Sequence, residues 1–419
     1  MTTLPTATRI ELLPLKAALP AGQDSELTIL ARIHPASTAQ TSGPRPPLNL
    51  ALVIDRSGSM SGQPLHMARQ AAQVAIRQLQ AQDRVSVVTF DSTVDTLIPS
   101  QPVTNPDALC REIERITEGG MTALHAGWLD GATQVAQHLN VRALNRVLLL
   151  SDGQANKGIT DARQIARQVA GLRERDVSTS TIGLGVDYDE DLLRGMADAG
   201  DGNYEHIEDA EQLPSYFKAE LGGLSRTSGH TVSLGVEPNP ELGSLRQHVL
   251  NDLRRTPTNR WQLRNLTEGQ PVEVVFTLHV PAQQAQADLG VTRVRLAWTG
   301  RDGIRRTQRV QLNLPVMSTS EYAALPENQT VRVALELQLN AQAKRDAVHY
   351  LDAGNVAGAQ SVLRERSEVF AAAPVPAFLR NAERADLLDL QENAERDQRL
   401  ARKRAVSQNY NQSNSKPRR

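Results

Sequence analysis

Three short stretches place oxygen-bearing side chains where a divalent cation could use them. In "LNLALVIDRSGSM", residues 48–60, an apolar run ends in Asp55 and is followed by Ser57, Gly58 and Ser59. In "EGGMTALHAGW", Thr122 stands directly before an amphipathic helical stretch, and in "RVLLLSDGQAN" a second apolar run ends in Asp152. Carboxylate and hydroxyl oxygens are hard ligands, suited to Mg²⁺, Mn²⁺ or Ca²⁺ and poorly suited to zinc or copper. Each stretch also has an ordinary reading. Ser, Thr and Asp cap helices, Gly makes bends, and Asp152-Gly153 reads as a turn. Three such loops at the ends of neighbouring strands are harder to assign to capping together than one by one.

To converge, these side chains must leave the same edge of one sheet. From Leu48 to about Leu224, apolar strands such as "LNLALVI", "RVSVVTF", "NRVLLLS" and "VSTSTIGLG" alternate with longer amphipathic helices such as "PLHMARQAAQVAIRQL" and "DARQIARQVAGLRE". Strands this apolar are expected when helices cover both faces of a mostly parallel sheet. The segment therefore reads as a doubly wound α/β domain, in which ligands bind outside the carboxyl ends of the strands.

The flanks have a different rhythm. Residues 8–34 read as two strands around a Pro-Ala-Gly-Gln-Asp turn, and five more strands follow Arg226, from "HTVSLGVEP" to "RRTQRVQLNLPV". Two strands are too few to bury a sheet alone, so the expected arrangement is one β-sandwich built by both flanks, with the α/β domain inserted. The expected boundaries are 1–46 for the first strands and a Ser/Thr/Gly/Pro-rich linker, 47–226 for the α/β domain and 227–318 for the remaining sandwich strands. A C-terminal helical domain is expected over 319–405, with a helix pair broken at Asp352-Ala-Gly-Asn355 and a third helix after it. Residues 406–419 read as a flexible polar, basic tail.

The three loops resemble those of a von Willebrand factor type A domain carrying a metal-ion-dependent adhesion site. That family's pattern is Asp-x-Ser-x-Ser, a later Thr and a later Asp, matched here by Asp55, Ser57 and Ser59, by Thr122 and by Asp152. The stretch "TIGLGVDYDEDLLRGMADAGDGNYEHIEDAEQLPSYFKAEL" is similar to the family's closing strand and helices, so the resemblance covers about residues 47–224. It implies a Rossmann-like fold and a bound Mg²⁺, with Ca²⁺ or Mn²⁺ as alternatives, whose shell is completed by an Asp or Glu carboxylate of a partner protein. The charges of Asp55 and Asp152 balance a divalent ion, and three hydroxyls fill positions without adding charge. Met121 departs from the pattern, standing where many relatives have a small residue; its side chain would narrow the mouth of the site or add an apolar contact.

The resemblance implies binding and no enzymatic activity. Metal-assisted hydrolysis needs a base beside the ion, and the one histidine near the loops, His125, reads as a helix-surface residue. "GQANKGIT" lacks the Gly-Lys-Ser/Thr ending of a phosphate loop, and "GLGVDY" lacks the third glycine of a dinucleotide fingerprint. Asp187, Asp189, Glu190 and Asp191 read as the cap of the next helix rather than a second cation site. A formal net charge of -1 gives no general attraction to nucleic acid or anionic membrane, and no stretch approaches a membrane span. The start lacks a secretory pattern, and the single cysteine, Cys110, is placed to face a core; cytoplasm is the expected compartment. Three roles follow: a module gripping an acidic side chain of a partner, a non-catalytic subunit or adaptor of an AAA+ ATPase of the MoxR-like or chelatase-like kind, and a cell-surface adhesin. The missing secretory pattern and disulfides argue against the last.

Overall fold

The first strands are β1 (Arg9–Pro14), β2 (Leu19–Pro20) and β3 (Ser25–His34), after which the chain enters an alternation of strand and helix. The computed structural model describes residues 7–37, 45–140, 142–242 and 246–416. Most of the expected linker, 38–44, and the last residues of the expected tail, 417–419, lie outside these. The chain divides into two units: residues 42–227 with 301–303, and the remainder.

The first unit is built from β4 (Leu48–Asp55), α1 (Gln63–Gln78), β5 (Arg84–Phe90), β6 (Val94–Pro102), α2 (Pro106–Ile113) and α3 (Leu124–Ala136). It continues with β7 (Leu144–Ser151), α4 (Ala162–Arg173), β8 (Val177–Leu184), α5 (Glu190–Ala199), β9 (Tyr204–Ile207) and α6 (Leu213–Ser225). The strand order is β6-β5-β4-β7-β8-β9. All neighbours are parallel except the β5–β6 edge pair. The apolar rhythm gives no strand at β6, which carries Pro99 and Pro102; an edge strand tolerates prolines because its outer N–H groups have no partner to lose.

Every residue of β4 is buried. Leu50, Leu52 and Ile54 belong to the same core as Leu65, Ala72 and Ile76 of α1 and Phe217 and Leu221 of α6. Full burial of a Leu or Ile side chain contributes about 1.5–3 kcal/mol, so these contacts hold the central strand fixed. On α3, a methyl group at Gly127 would stand 2.6 Å from the Phe90 ring, and one at Gly131 would stand 2.3 Å from Val53. The glycines thus let this helix approach the sheet closely. The sheet grows outward from β4 in both directions, β5 on one side and β7 on the other. Their carboxyl ends therefore flank a topological switch, where open α/β sheets form a crevice.

The second unit takes β1–β3 together with β10 (Thr227–Pro238), β11 (Gln247–Val249), β12 (Trp261–Leu263), β13 (Leu266–Thr267), β14 (Val272–Val280), β15 (Gln286–Gly300) and β16 (Arg305–Met317). One sheet has the order β1-β3-β14-β11; the other runs β12-β10-β15-β16-β2, with β13 paired to β10. Register Ile33↔Val272 through Ser25↔Val280 joins the segment before the α/β insertion to the segment after it. Apolar residues of both sheets, including Ile29, Ile33 and Phe276 from one and Leu234, Leu296 and Leu314 from the other, form a single core.

The helices of this unit are α7 (Thr319–Ala324), α8 (Gln329–Asp352), α9 (Val356–Ala371), α10 (Ala377–Arg396) and α11 (Gln398–Ser413). Val331 and Ala334 of α8 pack on Leu30 and Val275 of the first sheet. Two sequence expectations are corrected here. The expected third helix is two helices, divided at Asp397, whose side chain accepts from the Leu400 N–H and so starts α11. The expected tail at 406–419 is helical through Ser413, with Val406, Asn409, Tyr410 and Ser413 buried.

Candidate metal centre

The five oxygen-bearing residues come from three loops at the carboxyl ends of β4 and β7 and the start of α3, and the structure brings them together. Asp55, the last residue of β4, is fully buried. Its Oδ1 accepts from the Ser57 N–H at 2.9 Å, and its Oδ2 accepts from Ser151 Oγ at 2.5 Å. Ser57 Oγ lies 3.2 Å from Ser59 Oγ, and Ser59 Oγ donates to Asp152 Oδ1 at 2.8 Å. A methyl group on Gly153 would stand 3.2 Å from Thr122 Oγ1 and 3.6 Å from Ser59 Oγ, so the Thr and Ser hydroxyls both border this glycine.

Capping does not account for these side chains. Ser57 precedes a single 3-10 turn, Gly58–Met60, without a side-chain bond to it. The residue that starts α3 is Ala123, not Thr122. Thr122 is held by its backbone instead: its N–H donates to Asn156 Oδ1 at 2.8 Å, and its carbonyl accepts from the Asn156 N–H. Its hydroxyl has no hydrogen-bond partner among the described residues.

Burial pushes the Asp55 carboxyl above its ordinary range, an effect that the Ser151 and Ser57 donors only partly offset. Burial likewise pushes Asp152 up to about 6, the Ser59 bond opposing and the charge of Asp55 adding to it. The charged groups acting on the two are other carboxylates, Asp91 on the first and Asp55 and Asp187 on the second. Neither has an ion-pair partner among the described residues. Two close, buried carboxylates without a counter-cation, bordered by three hydroxyls, are a donor set that fits a hard divalent ion.

A layer of residues that the sequence reading did not single out supports this arrangement. Asp91, just past β5, accepts from the N–H groups of Thr93 and Gly120 and from the Thr93 hydroxyl. Burial works to raise its pKa, but those backbone donors and Arg56 together hold it below its ordinary value. A methyl group on Gly119 would meet Asp91 Oδ2 at 1.7 Å, which fixes the approach of the Thr122 loop. Ser92 Oγ takes the Met121 N–H, and the Gly58 N–H donates to Gly120 O at 3.0 Å, tying the first loop to the second. The available signal was a third apolar strand, "RVSVVTF", followed directly by Asp91.

Other expectations meet the structure as follows. Met121 is half exposed. His125 is not a surface residue: it is 6% exposed, its Nε2 sits 2.7 Å from Gln168 Oε1, and its ring lies 5.9 Å from that of Trp128. Gln168 of α4 covers this position at the start of the helix, so the polar side chain there is enclosed. Asp189 caps α5 through the Leu192 N–H. Cys110 is buried. Among the described residues, no helix is long and apolar enough to cross a membrane.

Comparison with known proteins identifies the domain that carries these loops. The profile of the von Willebrand factor type A domain matches residues 49–219. The chain is 32% identical over 210 residues to uncharacterized protein sll0103 of Synechocystis, covering 50% of this chain and 49% of that one. It spans about half the length of the curated relatives it matches. Among solved structures, a von Willebrand factor type A protein from Catenulispora acidiphila superposes with a TM-score of 0.68 at 16% identity, covering 94% of this chain and 91% of that one. The ArnB paralog VWA2 from Sulfolobus acidocaldarius gives 0.61 at 17%, covering 97% and 98%. At such identities the likeness is one of fold.

Proposed function

We propose, from the premise that residues 49–219 are a von Willebrand factor type A domain, that the protein is a non-enzymatic binding module that grips an acidic side chain of a partner protein through a divalent cation. Asp55, Ser57, Ser59, Thr122 and Asp152 would hold the ion, Mg²⁺ first and Ca²⁺ or Mn²⁺ as alternatives. The cation would supply a Lewis-acidic position open to a carboxylate oxygen. Asp55 and Asp152 supply the balancing charge, and the hydroxyls of Ser57, Ser59 and Thr122 supply neutral oxygens. Asp91 and Asn156 hold the loops that carry them. The observation that carries the reading is the pair of buried carboxylates whose charged neighbours are themselves acidic.

Binding is favoured over hydrolysis because the imidazole nearest the loops is engaged by Gln168 inside the fold. The single cysteine, buried in α2, fits a cytoplasmic protein. The test is calorimetric titration of Mg²⁺, Mn²⁺ and Ca²⁺ into the wild type, Asp55→Asn and Asp152→Asn, with partner retention compared in magnesium and in EDTA. Loss of cation binding in both variants, with partner retention that needs metal, supports the reading. Cation binding that survives both changes sinks it.

A further inference from the structure

The outward face of the second unit's larger sheet carries arginines that no acid among the described residues neutralises. Along β15 and β16, Arg293, Arg295, Arg305, Arg309 and Gln311 are exposed or half-buried, while Val294, Leu296, Leu312 and Leu314 turn to the core. The register sets Arg295 directly opposite Arg309, and Arg293 opposite Gln311. On the other side of Arg295 lies Gly235 of β10. The stem of Arg260 runs over that glycine, with Cγ 3.8 Å from where a Cβ would stand. Arg260, Arg295 and Arg309 thus form a row across the sheet, with Arg293 one outward position along.

Among the described residues, no carboxylate pairs with any of these four. Arg293 Nε donates to Gln311 Oε1 at 2.9 Å, and Arg295 Nε is shielded from water without a hydrogen-bond partner. Arg305 borders the row and is anchored to the Thr231 carbonyl at 2.5 Å. Glu237 lies opposite Arg293 on β10, and it makes no ion pair among the described residues.

This arrangement lowers stability. Like charges directly opposite across a sheet repel, a glycine inside a strand weakens it, and a merely soluble surface intersperses charges of both signs. We propose that this face binds an extended acidic segment of a partner protein, with Asp or Glu at alternate positions. Guanidinium groups pair bidentately with carboxylates. Arg293 and Arg295 are two residues apart on one strand, so their side chains repeat about every 6.6 Å, the same period at which an extended chain presents alternate side chains. None of the outward positions from Arg293 to Asn313 is aromatic, so the face has no platform on which nucleic-acid bases would stack.

The test uses the full chain in EDTA, which removes any contribution of the cation site, and a dye-labelled peptide of repeating Glu-Ser read by fluorescence anisotropy. The wild type is expected to bind with an affinity that falls steeply as salt rises. Arg295→Gln/Arg309→Gln is expected to lose at least about tenfold in affinity, with a melting temperature unchanged or raised because the like-charge opposition is gone. Should the double variant melt lower, Arg309→Gln alone, at an exposed position, must still weaken binding about threefold. Equal binding by wild type and variants, no binding by the wild type, or tighter binding of duplex DNA or phosphatidylserine vesicles than of the peptide would each overturn the proposal.

Discussion

Two donors hold Asp55 in the candidate metal centre, and the contribution of Ser151 can be separated from that of the candidate ligands. Its Oγ reaches Asp55 Oδ2 from behind. Ser151→Ala would leave a buried carboxylate short of one charge-assisted bond, at a cost of about 1.5–3 kcal/mol. That bond lowers the Asp55 pKa, so its loss also lets protons compete better with the metal. Mg²⁺ affinity measured by calorimetry is expected to fall about tenfold. Asp91 gives a second prediction. Its carboxyl is held below its ordinary value, so the sign is that of a depressed acid: its stabilisation is present above about pH 3.8 and is lost as pH falls through the lowered value. Asp91→Asn sets an amide donor against the N–H donors of Thr93 or Gly120. Urea denaturation is expected to show a loss of about 1–3 kcal/mol at pH 7 and a smaller difference from wild type at pH 2–3. The five candidate ligands were legible because Asp, Ser and Thr at the ends of apolar strands are conspicuous. Ser151 and Asp91 were less so: Ser151 is one residue of the strand itself, and Asp91, though it follows an apolar strand, lacks the Ser-x-Ser spacing that follows Asp55.

At the scale of elements, the strongest constraint on the site is how closely α3 lies on the sheet. Gly127 and Gly131 have no special backbone conformation to explain them; they read as weak helix residues that propensity alone would replace with alanine. Gly127→Ala should gain up to about 1 kcal/mol of helix propensity. The added methyl, however, meets ring and Cβ atoms of Phe90 at 2.6–2.8 Å, and overpacking of this kind costs about 1–3 kcal/mol. The packing term wins, so a net loss of about 1–2 kcal/mol is expected by thermal denaturation, with weaker metal binding because Thr122 immediately precedes this helix. If the variant is stabilised, the close approach is not the reason for the glycine. The α/β elements were legible because their strands are apolar on both faces. The end of the chain was misread for the converse reason: the enclosed residues of α8 and α11 include Gln338, Asn340, Lys344, Lys403, Ser407 and Asn409. A polar residue in a buried network carries no hydrophobic period.

At the scale of the molecule, the second unit is discontinuous, since its first sheet needs β3 from before the inserted domain and β14 from after it. The last described residues are also part of this body. Asn251 Nδ2 donates to the Ser413 carbonyl at 2.9 Å, Arg264 Nη2 to the Ser415 carbonyl at 3.0 Å, and Ser415 Oγ bonds both the N–H and the carbonyl of Glu273 on β14. A chain ended at Ala405 therefore separates two views of residues 406–419. As a solvated tail, their removal would leave stability unchanged. As the second half of α11, their removal uncovers the Tyr410 site and takes from Asn251, which is 3% exposed, its bond to the Ser413 carbonyl while leaving those to Glu273 and Val275. Cavity and hydrogen-bond losses together exceed about 3 kcal/mol, corresponding to a melting temperature lower by roughly 6–12 °C for a body of this size. Mg²⁺ affinity should be retained, because the candidate ligands rest on the separate core of β4, α1 and α6. Scanning calorimetry of the shortened chain, with a magnesium titration beside it, reads both outcomes: an unchanged transition would return these residues to the status of a tail, and a lost metal site would show that the two cores do not fold independently.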